Sequence, residues 1–193
     1  MSILKVDQIQ GRSSNTISLS SENKLYIPGQ AVQCQVVRVD TQHTYSYGTS
    51  STGIEMTNLR VAITPKFSSS MILCMFQIFG ESSSTHNIIF KVFKNGTVPT
   101  GTYAGFNNES GETSWSGIAM ALPYEGNYSS TPFSQTFYYH DFPNSTSQQT
   151  YAPGVKESNN NNYVWYLNRT AGSTGTGSYE NGVSFAMAWE IAQ

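Results

Sequence analysis

The stretch MILCMFQIF at residues 71–79 decides the fold of this chain. It is apolar apart from Gln77, and its length is that of a strand rather than of a buried helix. Because successive side chains of a strand point to opposite faces, both faces of this strand would be apolar. We therefore predict a β-strand that is covered on both sides.

A second strand is predicted at residues 183–191, where large and small side chains alternate with period two. We expect the large face to lie in the core and the small face to be approached closely by another sheet or another chain. The large face carries Val183, Phe185, Met187, Trp189 and Ile191, and the small face carries Ser184, Ala186 and Ala188. The predicted core consists of Ile72, Cys74, Phe76, Ile78, Phe90, Val92, Trp165, Phe185, Met187 and Trp189.

Other segments extend the strand pattern along the chain. Val32, Cys34 and Val36 alternate on one face, and the parity then switches to Val37 and Val39, which predicts a β-bulge. Further strands are predicted at residues 60–64, 88–93, 116–122, 133–142 and 163–168, with an Asn-Gly hairpin turn at 94–97. Polar loops are predicted at residues 41–53, 80–86, 101–114, 124–131, 144–149, 157–162 and 170–182. The predicted fold is all-β, an antiparallel β-sandwich of the jelly-roll type.

Composition argues against several classes of function. Only 11% of the 193 residues are charged and the net charge is -2, so there is no basic surface for nucleic acid. No apolar run reaches the roughly 18 residues of a membrane span, so membrane insertion is not expected. Residues 2–9 do not resemble a signal peptide. Cys34 and Cys74 lie in predicted strands, and we expect two buried free thiols in a protein made in a reducing cytoplasm.

The first 29 residues differ from the rest because their aliphatic side chains fall in three short clusters separated by Gly, Ser and Asn. Such a ribbon orders much backbone for little buried area, so it needs an assembly to stabilise it. We therefore divide the chain into an extended N-terminal attachment or assembly segment, residues 1–29, and a β-sandwich domain, residues 30–193. The candidate assembly residues are Ile3, Leu4, Val6, Ile9, Ile17, Leu19, Leu25 and Ile27.

Three stretches carry a resemblance to a known group of proteins. They are SILKVDQIQGRSSNTISLSSENKLYIPGQAVQ at residues 2–33, the AITP ending of a predicted strand at 62–65, and MAWEIAQ at 187–193. Together they resemble virion structural proteins of tailed bacteriophages, particularly marine and cyanobacterial phages, in which a short leader precedes a β-rich domain. The resemblance implies a fibre, spike or decoration subunit located in the virion, with homotrimers usual and other virion proteins bound through the leader. A capsid or tail decoration protein without a receptor role is the alternative.

The sequence gives only weak indications of catalytic or metal-binding residues. His43, His86 and His140 are far apart in sequence, and no His, Cys or carboxylate spacing matches a metal site, so no metal or cofactor is expected. Residues Glu109, Glu112 and Glu125 lie in loops beside Trp115 and Tyr124, a glycosidase theme. A glycan-cleaving enzyme is therefore a less favoured alternative, and we expect no enzymatic activity and no catalytic residue.

Aromatic residues in the polar loops are the stronger candidates for binding. Tyr and Trp beside Asn, Ser, Thr and Gly are typical of adaptable recognition surfaces. A host-surface glycan is the candidate ligand, and capping of the sandwich ends is the alternative role for these rings. The candidate ligand-contact residues are Tyr103, Phe106, Trp115, Tyr124 and Tyr128.

Overall fold

The structure, a computed structural model, describes residues 27–46, 48, 52–83, 87–99, 117–121, 130–157, 162–172 and 180–193. In these residues the chain forms eleven β-strands and a single 3-10 turn at Thr57–Leu59, with no α-helix. The strands are β1 Ala31–Val39, β2 His43–Ser46, β3 Ile54–Glu55, β4 Val61–Ile63, β5 Met71–Ser82, β6 Ile88–Lys94, β7 Ala119–Ala121, β8 Phe133–Asp141, β9 Gln149–Glu157, β10 Val164–Leu167 and β11 Ser184–Ile191.

The strands form two antiparallel sheets that pack as a sandwich. Sheet I has the order β1-β11-β5-β10-β2, with β8 also paired to β5. Sheet II has the order β3-β9-β6-β7, with β4 also paired to β9. The chain crosses between the sheets six times, from β2 to β3, β4 to β5, β5 to β6, β7 to β8, β8 to β9 and β9 to β10. The all-β, antiparallel sandwich predicted from the sequence is confirmed.

The core lies between the sheets and is centred on β5. Seven of the ten predicted core residues are buried there: Ile72, Cys74, Phe76, Ile78, Phe90, Val92 and Trp165. The Phe90 ring meets the Trp165 ring edge to face, with 5.6 Å between the centroids, and Phe76 lies 5.4 Å from Phe137. Aromatic pairs in such geometries add to the stabilisation that comes from burial alone.

The orientation predicted for the last strand is wrong. Phe185, Met187 and Trp189 are only half-buried and point away from the core. The buried face of β11 is the one that carries Ser184, Ala186, Ala188 and Glu190. Large rings from β6, β8 and β10 already fill the interior, so β11 contributes small residues where the two sheets approach each other.

The predictions for β1 also need two corrections. Its register with β11 is continuous from Gln33 to Val39, and the irregularity falls between Ala31 and Gln33 instead. The alternation therefore continues without a parity switch: Val36 points outward and Val37 packs on the core. Cys74 is a buried free thiol as predicted, whereas Cys34 is free but exposed.

Strand β9 was not predicted, and Pro153-Gly154 lies in the middle of it. The Pro153 carbonyl accepts a hydrogen bond from Met56 N at 2.8 Å, so the backbone of this residue faces the irregular chain between β3 and β4. Its missing N–H therefore removes no ladder bond with β6. A Cβ at Gly154 would collide with the Phe93 ring, so glycine allows that ring to lie flat on β9. Strand β2 lies within the loop predicted at residues 41–53, and the short strand β3 lies directly after that loop; neither was predicted as a strand.

The hairpin turn after β6 is confirmed. Lys94 and Thr97 form a bridge, and Asn95 and Gly96 have φ angles of 51° and 81°. Two successive positive φ angles are what a type I′ turn requires, and Asn-Gly is the dipeptide that adopts them most readily.

The described chain begins beside the last strand. Gly29 N donates to Ala192 O at 2.6 Å, and Ala192 N donates to Gln30 O at 2.9 Å. Of the candidate assembly residues, only Ile27 is described, and its side chain is 48% exposed. Ile3, Leu4, Val6, Ile9, Ile17, Leu19 and Leu25 lie outside the described residues.

Candidate functional site

None of the five loop aromatics predicted to contact a ligand is among the described residues. Tyr103, Phe106, Trp115, Tyr124 and Tyr128 all fall in the gaps, as do Glu109, Glu112 and Glu125. Across the described ranges, no cluster of three His, Cys, Asp or Glu side chains could hold a metal ion. No helix in the same residues is long and apolar enough to cross a membrane.

The outward surface of sheet I is the most distinctive feature of the described chain. The strand register places Val36, Met187, Met75 and Tyr138 side by side across four strands. The next row along the strands is Cys34, Trp189, Leu73 and His140. We define the outer face as Cys34, Val36, Met71, Leu73, Met75, Tyr138, Phe185, Met187, Trp189 and Ile191.

This outer face carries no ionised side chain, and the strands at its two sides, β1 and β8, carry exposed residues. Val36 on β1 is 54% exposed and Tyr138 on β8 is 58% exposed, while the residues on β5 and β11 between them are half-buried. Polar residues border one end, where Arg38, Phe185, Gln77 and Thr136 form a row. Arg38 is paired with Asp40 at 2.6 Å, so this charge already has a partner.

The size of the outer face can be worked out from strand geometry. Four strands about 4.8 Å apart and seven residues with a rise of about 3.3 Å give a footprint of roughly 300–400 Å². Contiguous apolar patches of about 300–600 Å² are the largest that monomeric proteins usually expose, and they are often functional. The sequence analysis recognised the apolar residues of this face as parts of strands. It assigned Phe185, Met187 and Trp189, which lie on β11, to the core.

A buried carboxylate, Glu190, joins three distant parts of the chain on the opposite side of β11. Its Oε2 accepts a hydrogen bond from Gln33 Nε2 at 2.7 Å. Its Oε1 accepts from Lys66 N at 2.7 Å, Phe67 N at 3.0 Å and Ser70 Oγ at 2.8 Å. Burial alone would raise the pKa of Glu190, but these hydrogen bonds hold it below its usual value. The ionised carboxylate therefore ties β1 and the connection before β5 to the last strand.

Sequence reasoning missed this role of Glu190. The sequence did contain a signal for it, since Glu190 lies at the same alternating positions as Ser184, Ala186 and Ala188 and therefore on the small face of the strand. Gln33 Nε2 also donates to Thr64 O at 2.7 Å, which extends the network to the end of β4.

A second buried carboxylate lies at the other end of β5. Glu81 Oε1 accepts from Thr131 N at 3.1 Å and from Thr131 Oγ1 at 2.9 Å, and Glu81 Oε2 accepts from Ala171 N at 2.6 Å. Thr131 follows residues 122–129 in sequence, and Ala171 precedes residues 173–179. Glu81 thus fixes the points at which two of the predicted polar loops join the sandwich.

A polar crevice of about 450 Å³ is lined by Asp40, Thr41, Gln42, Asn168 and Asn181. Asn168 Nδ2 donates to Val39 O and Thr41 O at 2.8 and 2.9 Å, and Gln42 Nε2 donates to Asn181 Oδ1 at 2.7 Å. These amides are engaged with one another and with the backbone, so the crevice is built as a structural junction rather than as a ligand site.

No protein-family model matches this sequence, and no curated protein is significantly similar to it.

Proposed function

We propose that this protein is a structural subunit of a tailed-bacteriophage virion, a homotrimeric fibre or spike component that is attached to other virion proteins through residues 1–29. The observation that carries the proposal is the convergence on Glu190. The three stretches that resemble phage virion proteins are far apart in sequence, yet Gln33, Thr64 and Glu190, one from each, are linked by hydrogen bonds. The three stretches therefore belong to one structural unit, which supports the resemblance.

The position of the leader supports its role in attachment. Gly29 and Gln30 pair with Ala192 beside β11, so residues 1–28 join the sandwich at one edge of sheet I. The outer face of sheet I is compatible with the oligomeric part of the proposal, because contiguous apolar patches of this size are often functional.

Mass spectrometry and immunogold labelling of purified particles test this function, using a phage whose genome encodes the chain. We expect the polypeptide in purified particles and gold label at projecting positions. Label flush with the capsid or tail surface would favour the decoration alternative. Particles that lack the polypeptide would overturn the proposal in both forms.

Host contact is proposed to involve the polar loops. Tyr and Trp rings stack on sugar faces, while Asn, Ser and Thr hydrogen-bond to hydroxyl groups, so a nearly uncharged loop set suits a glycan. Three copies on a trimer would raise the avidity of weak individual sites. Combined replacement Tyr103→Ala, Trp115→Ala and Tyr124→Ala should reduce phage adsorption to host cells at least ~10-fold while particle assembly stays normal. Normal adsorption by such particles would remove the receptor role.

A further inference from the structure

We infer that residues 17–26 pair with the free edge of β1 in the same chain, so that the end of the leader and β1 form a β-hairpin around the turn Ile27–Gln30. This pairing goes beyond the proposed function and does not depend on it, because it lies within a single chain. Residues 17–26 lie outside the described residues, but the turn that follows them and the strand edge beside that turn are described.

Strand β1 has one edge that no described strand covers. It pairs with β11 on one side and lies at the end of the strand order of sheet I. Its nine residues include one charged side chain, Arg38, and no proline, and its register from Gln33 to Val39 is continuous. Proteins usually protect a long edge of this kind with charges, prolines, bulges or a covering segment of chain. A covering strand is therefore expected here.

The turn before β1 directs the leader back along this edge. Gln30 N donates to Ile27 O at 3.0 Å, and Gly29 has a φ angle of 81°. Proline at the second position and glycine with a positive φ at the third are the pattern of a type II β-turn, which reverses the chain. The irregularity between Ala31 and Gln33 follows at once, and a bulge adds the twist that a hairpin closed by a type II turn needs. Because β11 occupies the other edge of β1, the reversed chain meets the free one.

The sequence of residues 17–26 has the alternation of a half-buried edge strand. Its aliphatic side chains, Ile17, Leu19 and Leu25, are at odd-numbered positions, whereas Ser, Ser, Glu and Lys occupy positions 18, 20, 22 and 24. Ten extended residues span about 33 Å, and the nine residues of β1 span about 30 Å. The segment is therefore long enough to cover the whole edge, and residues 1–16 are left for contacts with other proteins.

The register of the hairpin follows from the turn and from the faces of β1. Ala31 pairs with an outward residue of β11, and the turn places Tyr26 beside Ala31. The irregularity then adds one residue to β1, so Lys24 rather than Asn23 lies beside Cys34, which also points outward. Since paired residues share a face, the odd-numbered aliphatic side chains point towards sheet II and the polar ones towards solvent.

Cys34 is exposed, so disulfide formation can report on this register. Lys24→Cys in the full chain places a second thiol beside Cys34, and paired residues of neighbouring strands are close enough for a disulfide. The matched control is Asn23→Cys, which is adjacent in sequence but on the opposite face. Under mild oxidation, mass spectrometry of unreduced peptides measures the rate at which each variant forms the disulfide.

We expect Lys24→Cys to form the disulfide with Cys34 at least ~10-fold faster than Asn23→Cys, and within one chain. Equal rates would overturn the inference, because a segment that is not paired has no preferred face. The absence of a disulfide in both variants would also overturn it. So would disulfides that join two chains, since the leader would then cover a neighbouring copy.

Hydrogen exchange gives a second measurement that needs no new cysteine. Leu25→Pro removes a backbone N–H from the paired segment, so the amides of residues 31–39 that are not bonded to β11 should exchange at least ~10-fold faster. Ser14→Pro lies in the leader outside the paired segment and should leave this exchange unchanged. The same exchange in both variants would contradict the pairing. The phage assignment is tested separately, because it fails only if particles lack the polypeptide.

Discussion

Glu190→Gln is the substitution that tests the role of the buried carboxylate most sharply. Glutamine has nearly the same shape, so it can keep one oxygen facing Lys66 N, Phe67 N and Ser70 Oγ. Its amide group would then face Gln33 Nε2, which is also a donor. The variant therefore replaces three charge-assisted hydrogen bonds by neutral ones and turns the fourth into a repulsive contact.

The magnitude follows from these four contacts. Hydrogen bonds to a charged group contribute about 1.5–3 kcal/mol and neutral ones about 0.5–1.5 kcal/mol, so each of the three loses about 1 kcal/mol. We expect the free energy of unfolding to fall by about 3–4 kcal/mol at pH 7. For a chain of this length the melting temperature should fall by roughly 6–16 °C.

The pH dependence gives a second, independent expectation. A carboxylate whose pKa is lower in the folded state than in the unfolded state stabilises the fold above the unfolded value of about 4.3. That stabilisation is lost as the pH falls through the folded pKa. Since the pKa of Glu190 is lowered in the folded chain, the difference between the two proteins should shrink below about pH 4.

Urea unfolding followed by tryptophan fluorescence, at one fixed protein concentration, measures both effects. The matched control is Asp40→Asn, which removes an exposed ion pair with Arg38 and should cost less than about 1 kcal/mol. A loss below about 1 kcal/mol for Glu190→Gln at pH 7 would show that the ionised carboxylate does not stabilise the fold in this way. So would a loss that stays the same at acidic pH.

Two further predictions concern packing and a buried hydroxyl. Phe76→Ala should reduce the free energy of unfolding by about 3–5 kcal/mol, because Phe76 is fully buried. Phe185→Ala should cost less than about half as much, because Phe185 is only half-buried; equal losses in chemical denaturation would contradict the assigned faces of the strands. Tyr151→Phe removes the hydroxyl that donates to Asp141 Oδ2 at 2.6 Å and should cost about 1.5–3 kcal/mol. The exposed Tyr138→Phe should leave the free energy of unfolding nearly unchanged, and thermal unfolding that is the same in both variants would contradict the role of this bond.

Local patterns in the sequence were sufficient to predict most of the fold. The run at residues 71–79 and the alternation at 183–191 predicted β5 and β11, and Asn95-Gly96 predicted the turn after β6. These features depend on side-chain period and backbone preference, which are properties of neighbouring residues. Strand β9 could not be predicted in this way. A proline is tolerated at position 153 because its carbonyl faces Met56 rather than β6, and this arrangement depends on a distant part of the chain.

Where neither face of a strand is strongly polar, the sequence alone does not show which face points into the core. In β11 the inward face is determined by the space between the two sheets, because large rings on other strands leave room only for small side chains there. Glu190 was missed for a related reason, because its four donors come from Gln33 and from residues 66–70. A buried charge is acceptable only where such partners meet, and their meeting is a property of the whole fold.

Cryo-electron microscopy of a phage particle that carries this chain would show where the chain lies in the virion and in how many copies. We predict three β-sandwiches around a threefold axis in a projecting part of the virion, with residues 1–29 leading into the particle. A particle without the polypeptide, or one in which the chain stands as isolated single copies, would contradict the proposed function.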